Sequence, residues 1–124
     1  MIKKQDSFIV LYSQDIPRTV AFFRMLNASI MEETDTKCVV NLGGFELHHV
    51  VSEPMAPYQF IRNTATSSKG LILYVAVDDI SFYRSKILKS EGHVLSEIVE
   101  TPWNTKEFLF NDPDGYHFVL YKEE

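Results

Sequence analysis

Ser7-Phe8-Ile9-Val10-Leu11-Tyr12-Ser13-Gln14-Asp15-Ile16-Pro17 reads as a strand running into a helix. Ser7 to Ser13 is an apolar run rich in strand formers, and Pro17 suits a first helical turn, where its missing N–H costs nothing. From Arg18 to Leu26, Val20, Phe22, Phe23 and Leu26 fall mostly on one helical face, and Asn27 is a suitable stop. Ser29 to Glu33, Lys37 to Leu42 and Phe45 to Val51 are short extended stretches punctuated by Asp35 and by Gly43-Gly44, the pattern of an antiparallel meander. Residues 7–51 therefore read β-α-β-β-β.

Residues 52–69 change character: Pro54, Pro57 and Thr64-Ala65-Thr66-Ser67-Ser68 mark a connector. The first order then recurs over residues 70–122. Strand Leu71 to Val77 leads through Asp78-Asp79 to a helix from Ile80 to Glu91, closed by Gly92. Strands follow near Val94 to Glu100, Glu107 to Asn111 and Tyr116 to Lys122. Superposing Asp15-Ile16 on Asp79-Ile80, an offset of 64 residues from 15 to 79, pairs Phe8 with Ile72, Ile9 with Leu73 and Leu11 with Val75. The expected fold is α+β, one domain over residues 1–124. Its two βαβββ modules pair into a curved sheet with a concave central cleft and helices outside, because neither module buries a sheet face alone.

Composition narrows the function classes. At 124 residues with 45% hydrophobic content the chain can build its own core, and the lone Cys38 forms no intrachain disulfide, as expected of a cytoplasmic protein. No run approaches the ~18 apolar residues that span a bilayer, and no apolar leader opens the sequence, so no membrane association is expected. A net charge of −5 with scattered basic residues argues against nucleic acid as a partner. Nucleophile elbows, phosphate-binding Gly-rich loops and Cys-x-x-Cys pairs are absent from the sequence.

Strand alternation indicates which side chains line the cleft. Phe118 and Leu120 pack on a helix, leaving His117, Val119 and Tyr121 inward; Phe45 and Leu47 do the same, leaving Glu46 and His48. The opening strands turn Phe8, Val10 and Tyr12, and Ile72, Tyr74 and Ala76, to the same side. Tyr12, Glu46, His48, Tyr74, His117 and Tyr121 are accordingly candidate ligand-binding residues. His49 and His93 read as surface or strand-end positions.

Three passages, Phe108-Leu109-Phe110-Asn111-Asp112-Pro113-Asp114-Gly115-Tyr116-His117-Phe118-Val119-Leu120, Asp15-Ile16-Pro17-Arg18-Thr19-Val20-Ala21-Phe22-Phe23 and Gly44-Phe45-Glu46-Leu47, give the chain a resemblance to the vicinal oxygen chelate superfamily. That superfamily includes glyoxalase I, bleomycin-resistance proteins, fosfomycin-resistance enzymes and extradiol dioxygenases, and it often has an aromatic residue near the cavity mouth, so the resemblance adds Trp103 to the candidate ligand-binding residues. The resemblance implies a divalent metal held by four ligands, which fall here on Phe8, Glu46, Ile72 and Val119. Only Glu46 has a donor, so the expectation is a degenerate metal site with no cofactor. Matching Gly44-Phe45-Glu46 to Gly115-Tyr116-His117 instead pairs Glu46 with His117. It leaves open a displaced metal set of Glu46, His48 and His117, serving a lyase, isomerase or dioxygenase. A metal-independent enzyme with Glu46 as general base is the third possibility. The favoured expectation is a bleomycin-resistance-like homodimer that binds a small organic molecule in an aromatic-lined cleft.

Overall fold

A computed structural model describes residues 1–3, 7–51 and 70–124; the connector at 52–69 lies outside the described residues. Among the described residues there are two helices and nine strands, divided between two compact units. No helix among them is long and apolar enough to cross a membrane.

The first unit runs β1 (Ile9–Tyr12), α1 (Ile16–Met25), β2 (Ser29–Glu33), β3 (Lys37–Asn41) and β4 (Glu46–Val50). Its sheet has the order β1-β4-β3-β2, with β1 parallel to β4 and the other pairs antiparallel. The β1-to-α1 corner is set by short polar side chains. Buried hydroxyls of Ser13 and Thr19 lie 2.7 Å apart, and Asp15 caps the helix by accepting the Arg18 N–H at 3.0 Å. Asn27 ends α1 in the left-handed region (φ 62°), with the Ala28 N–H donating to the Phe23 carbonyl and the Asn27 N–H to that of Arg24. That is a Schellman closure, with asparagine where glycine is commoner. The helix buries Ile16, Val20, Phe22 and Phe23 over Leu11, Cys38, Val40 and Leu47.

The second unit repeats the plan as β5 (Leu73–Ala76), α2 (Ile80–Leu88), β6 (His93–Val94), β7 (Val99–Glu100), β8 (Thr105–Asn111) and β9 (His117–Glu123). The sheet order is β5-β9-β8-β6, with β7 also on β8 and β5 parallel to β9. Asp79 caps α2 through the Phe82 N–H at 3.1 Å. The two caps act alike: Asp15→Ala and Asp79→Ala should each lower stability by about 1 kcal/mol, with serine recovering most of the loss, as read from urea unfolding.

Two expected elements differ. The second helix stops at Leu88, three residues before Glu91, because the Ser90 hydroxyl and N–H both take the Ile87 carbonyl (2.7 and 3.0 Å) and the Gly92 N–H donates back to that hydroxyl. The single strand expected from Val94 to Glu100 is two short strands. Val94 faces Phe110 and Val99 faces Glu107, so five steps on one side span three on the other. At this bulge the Ser96 hydroxyl replaces a backbone acceptor, receiving the Leu109 N–H at 2.9 Å.

Below α2, Phe108, Phe110 and Phe118 form the centre of the core, with Phe110 and Phe118 stacked at 5.4 Å. The turn Asp112-Pro113-Asp114-Gly115 joins β8 to β9. One carboxylate oxygen of buried Asp112 accepts the N–H groups of Asp114 and Tyr116 (3.0 and 2.9 Å), while Gly115 supplies the positive φ of 91°.

Candidate functional site

Each sheet has one face under its helix and one turned away from it. In β4 the helix side holds Leu47 and His49. The His49 ring is fully buried (0% exposed) 5.3 Å from that of Phe23, which corrects its reading as a surface residue. It shares the parity of Leu47, and β4 continues past it to Val50, so it is neither at the surface nor at a strand end. His93 is exposed.

On the face of the first sheet turned away from α1 stand Phe8, Val10 and Tyr12 and, beside them, Glu46 and His48. Phe8 is half exposed and lies flat on the His48 imidazole, with ring centroids 3.7 Å apart and an interplanar angle of 10°. Nε2 of His48 is 3.2 Å from Oε1 of Glu46, so a proton on that nitrogen is donated to the carboxylate. Glu46, His48 and Phe8 thus form one contiguous group. Tyr12 is half-buried at the end of β1.

The corresponding face of the second sheet brings together Tyr74 of β5, Val119 and Tyr121 of β9, and Glu107 of β8. Tyr74 pairs with Val119 and Glu107 with Tyr121 in the strand registers. The Tyr74 and Tyr121 rings lie 5.9 Å apart, tilted by 57°. The Tyr74 hydroxyl donates to Oε2 of Glu107 at 3.3 Å, and the Thr105 hydroxyl donates to Oε1 at 2.9 Å. Burial, and then the Glu107 charge that the phenol is bonded to, push the Tyr74 hydroxyl above the ordinary tyrosine value. His117 is half-buried at the start of β9, opposite Asn111. Trp103 stands apart in the turn between β7 and β8, largely exposed.

Glu107 was missed by the sequence reading, although the signal was there. Phe108 and Phe110 have to face α2, and their parity turns Glu107 to the side of Tyr121.

The registers also settle how the modules correspond. Ile9 lies opposite Leu47 in the first unit and Leu73 opposite Phe118 in the second. Since Ile9 and Leu73 are repeat partners, so are Leu47 and Phe118, which makes Glu46 the counterpart of His117 and His48 the counterpart of Val119. Of the four positions that the resemblance implies, Phe8, Ile72 and Val119 carry hydrocarbon side chains that offer a metal no donor, whereas the register counterpart of Glu46 is His117, which has one, and Glu46 itself is bonded to His48. Among the described residues no group of three or more His, Cys, Asp or Glu side chains stands close enough to hold an ion.

Known proteins share this architecture. A glyoxalase/bleomycin resistance protein/dioxygenase family enzyme from Burkholderia phytofirmans PsJN superposes with a TM-score of 0.82 at 15% identity, covering 95% of this chain and 98% of that one. A hypothetical protein, SA1046, from S. aureus gives 0.80 at 18% identity, covering 98% and 94%. The genomically encoded fosfomycin resistance protein FosX from Listeria monocytogenes gives 0.74 at 16% identity, covering 100% and 96%. No curated protein sequence matches the chain. At such identities the superpositions establish the fold. The sequence model of one family, however, matches residues 7–120, from the first strand through Leu120 of the last, and by that match the chain belongs to the Glyoxalase/Bleomycin resistance protein/Dioxygenase superfamily.

Proposed function

We propose that this chain is a metal-independent member of its superfamily that binds a small organic molecule through the aromatic faces its sheets turn away from their helices. The observation that supports this most is the Phe8–His48 stack. An aromatic ring stands where the family pattern expects a donor, and it covers the one imidazole beside Glu46. Ring faces and a few hydrogen-bonding groups are what a binding site for an organic ligand requires, whereas a hard or borderline cation requires converging oxygen and nitrogen donors. A relative named as an enzyme, the family enzyme from Burkholderia phytofirmans PsJN, shares the fold at 15% identity and lends no activity to this chain. A homodimer in the cytoplasm belongs to the same proposal.

Metal analysis is the test. Protein purified without chelators should carry far less than one equivalent of zinc, nickel, manganese or iron, and titration with each ion should leave the amide resonances of β1, β4, β5 and β9 unmoved. Stoichiometric metal that disappears in Glu46→Ala would overturn the proposal in favour of a displaced ligand set.

A further inference from the structure

Glu107 is a carboxylate in an unusual position. It is 9% exposed, its two oxygens accept one hydroxyl each, from Thr105 and Tyr74, and among the described residues no Lys, Arg or His comes within ion-pair distance of it. Two neutral donors fill about half of the four or so lone-pair sites of a carboxylate and leave its charge uncompensated. A buried, unpaired charge is expensive to maintain unless something brings the opposite charge to it. The surroundings show what would. Tyr121 stands directly across the β8–β9 ladder, Tyr74 closes over from β5, and Val119 and Leu109 form an apolar floor in adjacent register. Tyrosine faces attract cations, and an apolar floor accepts the hydrocarbon that carries one.

We infer that Glu107, flanked by Tyr74 and Tyr121 on the second sheet, is the anchor for a protonated amine, so that the molecule bound is a small organic cation. This rests on the proposed binding of small organic molecules and specifies the chemical class. The ammonium donates to the free lone pairs of Glu107, its charge sits against the two rings, and its apolar portion lies on Val119 and Leu109. Anionic ligands are disfavoured at the same place by the same carboxylate. The repeat reinforces the point. The register counterpart of Glu107 in the first unit is Lys37, which is already paired with Glu32 at 3.5 Å, so the free carboxylate is particular to the second unit and is not imposed by the scaffold.

Benzylammonium and benzyl alcohol, similar in size and differing in charge, are the probes, followed by amide chemical shifts at neutral pH. Wild-type protein should bind benzylammonium about tenfold more tightly than the alcohol, with the largest shifts in β5, β8 and β9. Glu107→Gln removes the charge and keeps one of the two acceptor oxygens, the other hydroxyl turning to accept from the new amide N–H; it should erase that preference while leaving the affinity for benzyl alcohol within about twofold. Equal affinities for the two probes in the wild type would overturn the inference, and this comparison needs no variant to fold. So would a preference that survives Glu107→Gln. Binding of the alcohol alone would sink the amine site and leave the small-molecule reading standing; binding of neither probe would sink both.

Discussion

Between about pH 4 and pH 8 the wild-type chain should lose roughly 3–4 kcal/mol of stability relative to Asp112→Asn, a shift of about three pH units at 1.36 kcal/mol each. Asp112 is 1% exposed and holds the turn between β8 and β9. Burial raises its carboxyl to about 7; the neighbouring charge of Asp114 adds to this, and the N–H groups of Tyr116, Asp114 and Gly115 oppose it. The other oxygen, Oδ2, is buried without a hydrogen-bond partner among the described residues, so ionisation places charge where nothing receives it. Because the folded value lies above the unfolded one, the protonated form is favoured by folding. Its contribution is complete below about pH 4 and is lost as pH rises through 7, the reverse of a salt-bridged carboxylate. Asparagine keeps the oxygen that accepts the turn N–H groups and cannot ionise. Urea unfolding of both proteins across this range gives the difference directly, and a constant gap would show that Asp112 ionises freely in the fold.

The second large effect belongs to the aromatic core. Phe110→Ala should cost about 3–5 kcal/mol, because the ring is fully buried between Phe108 and Phe118 and truncation leaves a cavity under α2 that stacked rings close poorly. Phe82→Ala is the control. That ring is partly exposed on α2 with the Lys86 ammonium 4.7 Å above it, and its loss should cost less than about 1 kcal/mol. Guanidinium unfolding followed by circular dichroism separates the two, and comparable losses would contradict the packing described.

Why the fold was legible is clear at its corners. Asp15-Ile16 and Asp79-Ile80 cap their helices as the repeat requires, Asn27 stops the first helix, and Asp112-Pro113-Asp114-Gly115 turns the last hairpin, all through local chemistry that a sequence displays. What escaped depends on partners distant in sequence. The end of α2 is decided by a serine hydroxyl competing for a helix carbonyl, and the split between β6 and β7 by Ser96 standing in the β8 ladder. Period-two alternation placed Glu46 and His48 away from the helix, and Tyr74 near Tyr121, because one parity serves a whole strand. The same rule, applied to the first and last strands of each module but not to β8, left Glu107 unseen, and His49 was misjudged because the alternation in β4 was followed only as far as His48. Which residues of β4 and β9 correspond was ambiguous by two positions in the sequence, and the match of Gly44-Phe45-Glu46 to Gly115-Tyr116-His117 is the one that the strand registers bear out. Hydrogen-bonded register against β1 and β5 decides between the two offsets.

That register lets one backbone plan carry two sets of side chains: an acid here where an imidazole stands there, an imidazole against a valine, an ammonium against a carboxylate. Both units keep the same strand order, so backbone geometry tolerates the exchange. Transplanting the Glu46-Leu47-His48 triplet onto positions 117 to 119 would carry one half's chemistry into the other without redrawing a ladder, which makes the repeated register a ready template for new pockets.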